Sequence, residues 1–145
     1  MTRKADKQEI VKLFKAIQAE FPHLDMPLEY DHPHLDLNMD IPRQEGLAFD
    51  INVYLDGDEL HLCAGCFRLE WFPCNEADMV EKFRKAVCGL LSGRYRIVEH
   101  YRGTQPVKAQ LQRPEGNAWQ TIGTYRKLHI PFPWHKTKKI LQNVP

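Results

Sequence analysis

The sequence predicts an α+β fold in which a single antiparallel sheet of about five or six strands carries two helices on one face. Three observations lead to this prediction. Two segments place apolar residues at helical spacing, most other apolar residues alternate with polar ones, and short turn sequences join the alternating segments. Because short links join antiparallel neighbours, the predicted order is α-βββ-α-βββ followed by a tail.

The composition is that of an ordinary globular protein. Hydrophobic residues make up 43% and charged residues 27% of the 145 positions, so we expect a single folded domain over residues 1–145 rather than a disordered chain. No apolar run reaches the roughly 18 residues that a membrane-spanning helix needs, and no signal-peptide core is evident. These features favour a cytoplasmic protein with free cysteines and no membrane association.

The first half of the chain predicts one helix and three strands. The residues at helical spacing, which predict a helix over about 6–21, are Ile10, Leu13, Phe14, Ile17 and Phe21. Pro22 ends this helix. Residues 35–41 and 47–55 alternate apolar and polar side chains, which predicts two half-buried strands. The turn sequence at Gly57-Asp58 then predicts a two-residue hairpin and a return strand.

The return strand changes phase at Gly65, because its apolar positions are even-numbered before this residue and odd-numbered after it. One extra residue predicts a β-bulge, which would bring His61, Cys63 and Cys66 onto one face. The hairpin register places Tyr54 opposite His61, within about 5.5 Å at Cβ. The resulting predicted binding patch comprises Asp50, Asn52, Tyr54, His61, Cys63 and Cys66.

The second half predicts another helix and three more strands. Asn75 is the expected N-cap of the helix, and Gly93 lies just past its end. Alternation then predicts strands around residues 95–101, 107–111 and 119–128. An irregular basic tail is expected from about residue 131, including Pro131–Trp134, with a short basic helix over 135–143.

The cysteine-rich strand suggests a metal or thiol site as one alternative. A zinc site would use His61, Cys63, Cys66 and Cys74. Alternate side chains on a strand lie about 6.6 Å apart, which is wide for a shared ion, so half-buried packing cysteines are the favoured interpretation. A Cys63–His61 nucleophile pair is a weaker alternative because the sequence shows no oxyanion hole.

Two shorter polar patterns are weak candidates for metal binding. Asp36, Asn38 and Asp40 alternate as in a calcium loop but lack its glycine and final glutamate, so the polar face of a strand is favoured. His32 and His34 flank a proline in a predicted loop. No phosphate-binding glycine loop, nucleophile elbow or HExxH motif occurs in the sequence.

The charge is divided unevenly along the chain. Residues 1–75 carry a formal charge of −7 and residues 76–145 carry +8. This asymmetry suggests a nucleic-acid interface as a second alternative, with Tyr101 and Trp119 as stacking residues. The basic residues assigned to it are Arg94, Arg96, Arg102, Lys108 and Arg113. Because the basic residues are scattered along strands, mutual neutralisation of the two halves is the favoured interpretation.

The leading functional hypothesis is a non-enzymatic module that binds another protein in an immunity-, inhibitor- or adaptor-like role. It follows from the small size, the absence of a convincing catalytic constellation and the acidic and basic regions that could steer a charged partner. No cofactor is expected, enzymatic activity is disfavoured, and the oligomeric state is left open, with a homodimer as one possibility.

Overall fold

The computed structural model describes residues 7–127 and 135–143. Two helices are present, α1 (Lys7–Glu20) and α2 (Ala77–Ser92). The strands are β1 (Leu28–Glu29), β2 (Leu37–Ile41), β3 (Ile51–Asp56), β4 (Glu59–Ala64), β5 (Phe67–Trp71), β6 (Arg96–Arg102), β7 (Gln105–Glu115), β8 (Ala118–Arg126) and β9 (Lys136–Leu141). The α+β class is therefore confirmed.

The described strands form two antiparallel sheets, so the prediction of a single sheet with both helices on one face was wrong. The predicted order α-βββ-α-βββ was also wrong, because five strands follow α1 and four follow α2. The first sheet has the strand order β1-β2-β3-β4-β5, and the second has the order β8-β7-β6-β9. The helix α2 separates the two sets of strands along the chain. The polar and apolar alternation is the same in either arrangement, which is why the sequence pattern alone did not separate the sheets.

The phase change at Gly65 is a hairpin turn between two strands, not a β-bulge within one strand. Ala64 pairs with Phe67, so Gly65 and Cys66 form a two-residue loop between β4 and β5. Gly65 has a φ of 58°, a left-handed value that suits the first position of such a turn. The predicted turn at Gly57-Asp58 is confirmed, because Asp56 pairs with Glu59 across it.

The core joins both helices to both sheets. The α2 helix packs on β4 and β5, α1 packs on α2, and β5 also contacts β7 and β8 of the second sheet. Phe83 of α2 stacks on Phe14 of α1, with 5.9 Å between ring centroids, and meets Trp71 of β5 edge-on at 5.7 Å. These three aromatic rings therefore link α1 and α2 to the first sheet.

Two predictions at the ends of elements were also wrong. Glu76, rather than Asn75, occupies the N-cap position of α2. Residues 136–141 form the edge strand β9 where a basic helix over 135–143 was expected. The predicted irregular tail at Pro131–Trp134 lies outside the described residues.

The Asn143 side chain fastens the end of the described chain to the core through three hydrogen bonds. Asn143 is 5% exposed, and its amide donates hydrogen bonds to the carbonyls of Gly46 (2.6 Å) and Leu91 (2.7 Å). Its Oδ1 accepts a hydrogen bond from the backbone N–H of Ala48. These bonds hold β9 against the rest of the molecule. Neither helix of the described chain has the length and apolar character needed to cross a membrane.

Candidate functional site

A cleft of about 510 Å³ lies at the end of the second sheet, next to the turn that joins β6 to β7. We call it the basic cleft. Ten of the described residues line it, of which none is Asp or Glu and six are Lys or Arg. The lining residues are His100, Tyr101, Arg102, Val107, Lys108, Arg126, Lys127, Lys136, Thr137 and Lys138.

Strand register explains why so many cations share this cleft. Lys108 of β7 lies directly opposite both Arg126 of β8 and His100 of β6. His100 in turn lies opposite Lys138 of β9. Because directly opposed residues share a face, these four side chains form one line across all four strands, which we call the basic row. Beside it, Arg102 lies opposite another cation from β9.

The cations of the basic cleft have no acidic partners within the described part of the chain. No Lys or Arg of the cleft lies within 4.0 Å of a carboxylate oxygen of residues 7–127 or 135–143. Between residues 94 and 139 the sequence holds only two acids, Glu99 and Glu115. Glu99 alternates with His100 and so faces the opposite side of β6, and Glu115 lies at the far end of β7.

Glu99 instead forms a buried hydrogen-bonded group between the two sheets. Its side chain is 3% exposed and accepts the backbone N–H of Cys66 at 2.7 Å and the hydroxyl of Tyr101 at 3.1 Å. Burial and the nearby carboxylate of Glu99 raise the pKa of Tyr101 to about 12 and that of the Cys66 thiol to about 12. The phenol of Tyr101 is thus held by a carboxylate on the side of β6 that faces away from His100.

The five basic residues predicted from the sequence are divided among three places. Arg102 and Lys108 line the basic cleft. Arg94 and Arg113 line a second cleft of about 550 Å³ beside α2. The Arg96 guanidinium lies 4.1 Å from the centroid of the Trp119 ring on β8 and so covers one face of that ring. Tyr101, the other residue predicted to stack on bases, donates its hydroxyl to Glu99.

Part of the predicted binding patch is present on the outer face of the first sheet. Tyr54 stacks on His61 with ring centroids 4.4 Å apart, and Asn52 lies opposite Cys63 as the register prediction required. The Asn52 amide donates hydrogen bonds to Asn38 and to a neighbouring carboxylate. On this polar face, the side chains therefore stack on or hydrogen-bond to one another.

The remaining two members of the patch lie apart from that group. Asp50 precedes β3, and its carboxylate accepts the backbone N–H of Arg43 at 2.6 Å. A shallow pocket of about 300 Å³ still brings Asp50 near Cys63 and Arg68. Cys66 lies in the β4–β5 turn and contacts Glu99, so it does not share a face with His61 and Cys63.

The cysteines do not converge in the way that the alternative zinc site would need. Cys66 precedes β5 and Cys74 follows it, and a five-residue strand keeps them more than roughly 13 Å apart. Burial raises the pKa of the Cys63 and Cys74 thiols. Burial and a hydrogen bond to Glu20 raise the pKa of the Cys88 thiol in α2 to about 12. Nucleophilic cysteines need thiolates, which all four environments disfavour.

Sequence reasoning missed several members of the basic cleft. Lys136 and Lys138 were assigned to a helix, and His100, Arg126 and Lys127 were not assigned to any site. Residues 136–141 show no alternation of polar and apolar side chains, so local periodicity carried no signal for β9. Only the register between strands could show that these residues meet Lys108.

The chain was compared with known proteins. No protein-family model, curated protein or solved structure matches it.

Proposed function

We propose that this protein is a binding module that holds a nucleic-acid strand in the basic cleft through contacts to its phosphates. The observation that carries the proposal is the basic row, in which Arg126, Lys108, His100 and Lys138 face the same side across four strands. Phosphate contacts supply most of the affinity of sequence-independent nucleic-acid binding. Three of the four side chains in the row are Lys or Arg, and a line of such donors suits contacts of this kind.

The energetics of the row support an anionic ligand. Like charges directly opposite each other destabilise a sheet by up to about 1 kcal/mol per pair. The second sheet contains two such pairs, Lys108 with Arg126 and Arg102 with Lys136. A bound phosphate between them would convert repulsion into charge-assisted hydrogen bonds. The cation pairs therefore repel each other in the free protein, and a bound polyanion would stabilise them.

The extent of the row favours a strand over a single small phosphate. Neighbouring strands lie about 4.8 Å apart, so four strands place the first and last side chains of the row roughly 14 Å apart. That length accommodates several consecutive phosphates. Because Trp119 is covered by Arg96 and Tyr101 is bonded to Glu99, we expect backbone contacts to dominate and sequence preference to be weak.

The salt dependence of binding tests the proposal. Fluorescence anisotropy with a labelled single strand of about 20 nucleotides would be measured from about 50 to 300 mM salt. With about four phosphate contacts, log Kobs should fall with log salt at a slope of about −3. Replacing Lys108 and Lys138 by Gln should make the slope shallower by about 1.4 and weaken binding at least tenfold. Lys15→Gln, an exposed charge on α1, is the matched control and should leave both values unchanged.

Competition separates nucleic acid from the other anions that a basic surface could bind. Unlabelled single strand should displace the probe, whereas polyglutamate and a mononucleotide at equal charge concentration should not. Displacement by polyglutamate alone would favour an acidic protein partner and overturn the proposal. Protein binding, the function that the sequence analysis places first, stays a prediction. Salt-independent binding, or equal loss in the Lys15 variant, would also contradict the nucleic-acid function.

A further inference from the structure

A second cluster of ligand-type side chains lies on the other sheet, far from the basic row in sequence. Glu59 and His61 are two residues apart on β4 and so share its outer face. Glu70 of β5 lies directly opposite His61. One carboxylate oxygen from each glutamate and one ring nitrogen of the histidine all lie within 4.8 Å of one another. Two adjacent strands therefore bring three ligand-type side chains to one point.

We infer that Glu59, His61 and Glu70 bind a divalent transition-metal ion, with Zn²⁺ as the ion that suits them best. Imidazole and carboxylate are both zinc ligands, and three protein ligands with a water in the fourth position form a common open zinc site. Ligands that bind one tetrahedral zinc at 2.0–2.2 Å lie about 3.4 Å from each other. The Glu59 Oε2 to His61 Nε2 distance of 3.3 Å fits such a pair. Glu70 Oε2 lies 3.8 Å from the other ring nitrogen, Nδ1, so the Glu70 side chain must move to join an ion bound at Nε2.

The histidine is held in a fixed orientation, unlike a solvated surface imidazole. Its side chain is 17% exposed, and the ring of Tyr54 lies over it at 4.4 Å with an interplanar angle of 9°. Sites on strands position ligands more accurately than sites on loops. The two glutamates are more exposed, at 37% and 48%, so their side chains are free to close the present spacing of up to 4.8 Å to the distances that coordination requires.

The local charge also favours a cation. Neither glutamate has a Lys or Arg within 4.0 Å among residues 7–127 and 135–143, and both lie within 4.0 Å of the His61 ring. Glu59 also lies directly opposite Asp56, a like-charged pair that destabilises the hairpin end. Arg68 lies on the same face but opposite Cys63. A divalent ion would neutralise the carboxylates and leave the histidine as a neutral ligand.

Isothermal titration of the full chain with Zn²⁺, after EDTA treatment and removal of the chelator, tests this site. We expect one equivalent to bind with micromolar or tighter affinity. Glu59→Gln and Glu70→Gln, which keep side-chain shape, should each weaken binding at least tenfold, and His61→Gln should abolish it. Affinity should fall on acidification because protons compete for the imidazole.

Two control variants distinguish this site from zinc binding elsewhere on the first sheet. Glu29→Gln removes an exposed carboxylate from the same sheet, and Cys63→Ala removes the nearest thiol on the same face. Both should bind zinc as the unaltered chain does, and far-ultraviolet circular dichroism should show that all variants fold. Absence of saturable binding up to about 1 mM Zn²⁺ would overturn the inference. Loss of binding in Cys63→Ala, or retention in both glutamate variants, would do so as well.

Discussion

Reversal of charge at Lys108 should separate the stability of the fold from its ability to bind nucleic acid. In the free protein, Lys108 lies opposite Arg126 on one side and His100 on the other. Lys108→Glu replaces a repulsive cross-strand pair by an attractive one in the centre of the basic row. The substitution should therefore stabilise the folded chain while it places a negative charge where phosphate is proposed to bind.

The size of the effect follows from the cross-strand pair. Each directly opposed charge pair contributes about 0.2–1 kcal/mol, with the sign set by the charges. Removing the repulsion with Arg126 and adding an attraction changes that contribution twice, and the exposure of Arg126 favours the lower half of the range. We expect the free energy of unfolding to rise by about 0.5–1 kcal/mol and Tm to rise by about 2–4 °C.

Urea denaturation followed by circular dichroism measures the first effect, and anisotropy of a labelled single strand measures the second. The urea midpoint should rise with an unchanged m-value, whereas the nucleic-acid affinity should fall at least tenfold. Lys15→Glu on α1 is the matched control for net charge. If Lys108→Glu destabilises the fold, the register argument is incorrect. If it binds nucleic acid as tightly as the unaltered chain, the proposed interface is incorrect.

Three further predictions concern the packing and the ionisable groups. Gly89→Ala should destabilise the fold by about 1 kcal/mol in urea melts, because its Cβ would lie 2.3 Å from the Tyr95 ring and this clash exceeds the gain in helix propensity; a stabilised variant would contradict this packing. Gly65→Ala should cost about 2–3 kcal/mol, since φ is 58° and the new Cβ would lie 2.7 Å from a buried carboxylate oxygen; an unchanged urea midpoint would refute it. The folded state raises the pKa of Cys66 from 9.0 to about 12 and that of Tyr101 from 10.0 to about 12, so the stability these protons provide is complete below pH 9 and should be lost as pH rises toward 12. Tyr101→Phe should lose less stability than the unaltered chain over this pH range. If stability depends on pH identically in the two proteins, the buried hydrogen bond of Tyr101 is contradicted.

Local patterns in the sequence were sufficient to predict most individual elements. Apolar residues at helical spacing located α1 within one residue at each end, and the turn at Gly57-Asp58 fixed the β3–β4 register. That register correctly placed Tyr54 opposite His61. These features depend on neighbours along the chain or across a two-residue turn, so the sequence carries them directly.

Features that depend on distant parts of the chain were not predicted. Gly65 produces the same phase change whether it forms a bulge or a hairpin turn, and only the partner of β5 distinguishes the two. The strand β9 pairs with β6 across a long separation, so Lys138 could not be placed beside His100 from local periodicity. The charge asymmetry was visible in the sequence, but its concentration in one cleft depends on that pairing.

Backbone amide NMR during titration with an unlabelled single strand tests the central claim most directly, because it locates the bound surface without substitutions. At low salt, the largest shift changes should fall on β6–β9, at His100, Lys108, Arg126 and Lys138, and should reverse as salt is added. Amides of β2–β4 should remain unchanged. Shift changes confined to β2–β4, or an absence of changes at millimolar strand, would contradict the account.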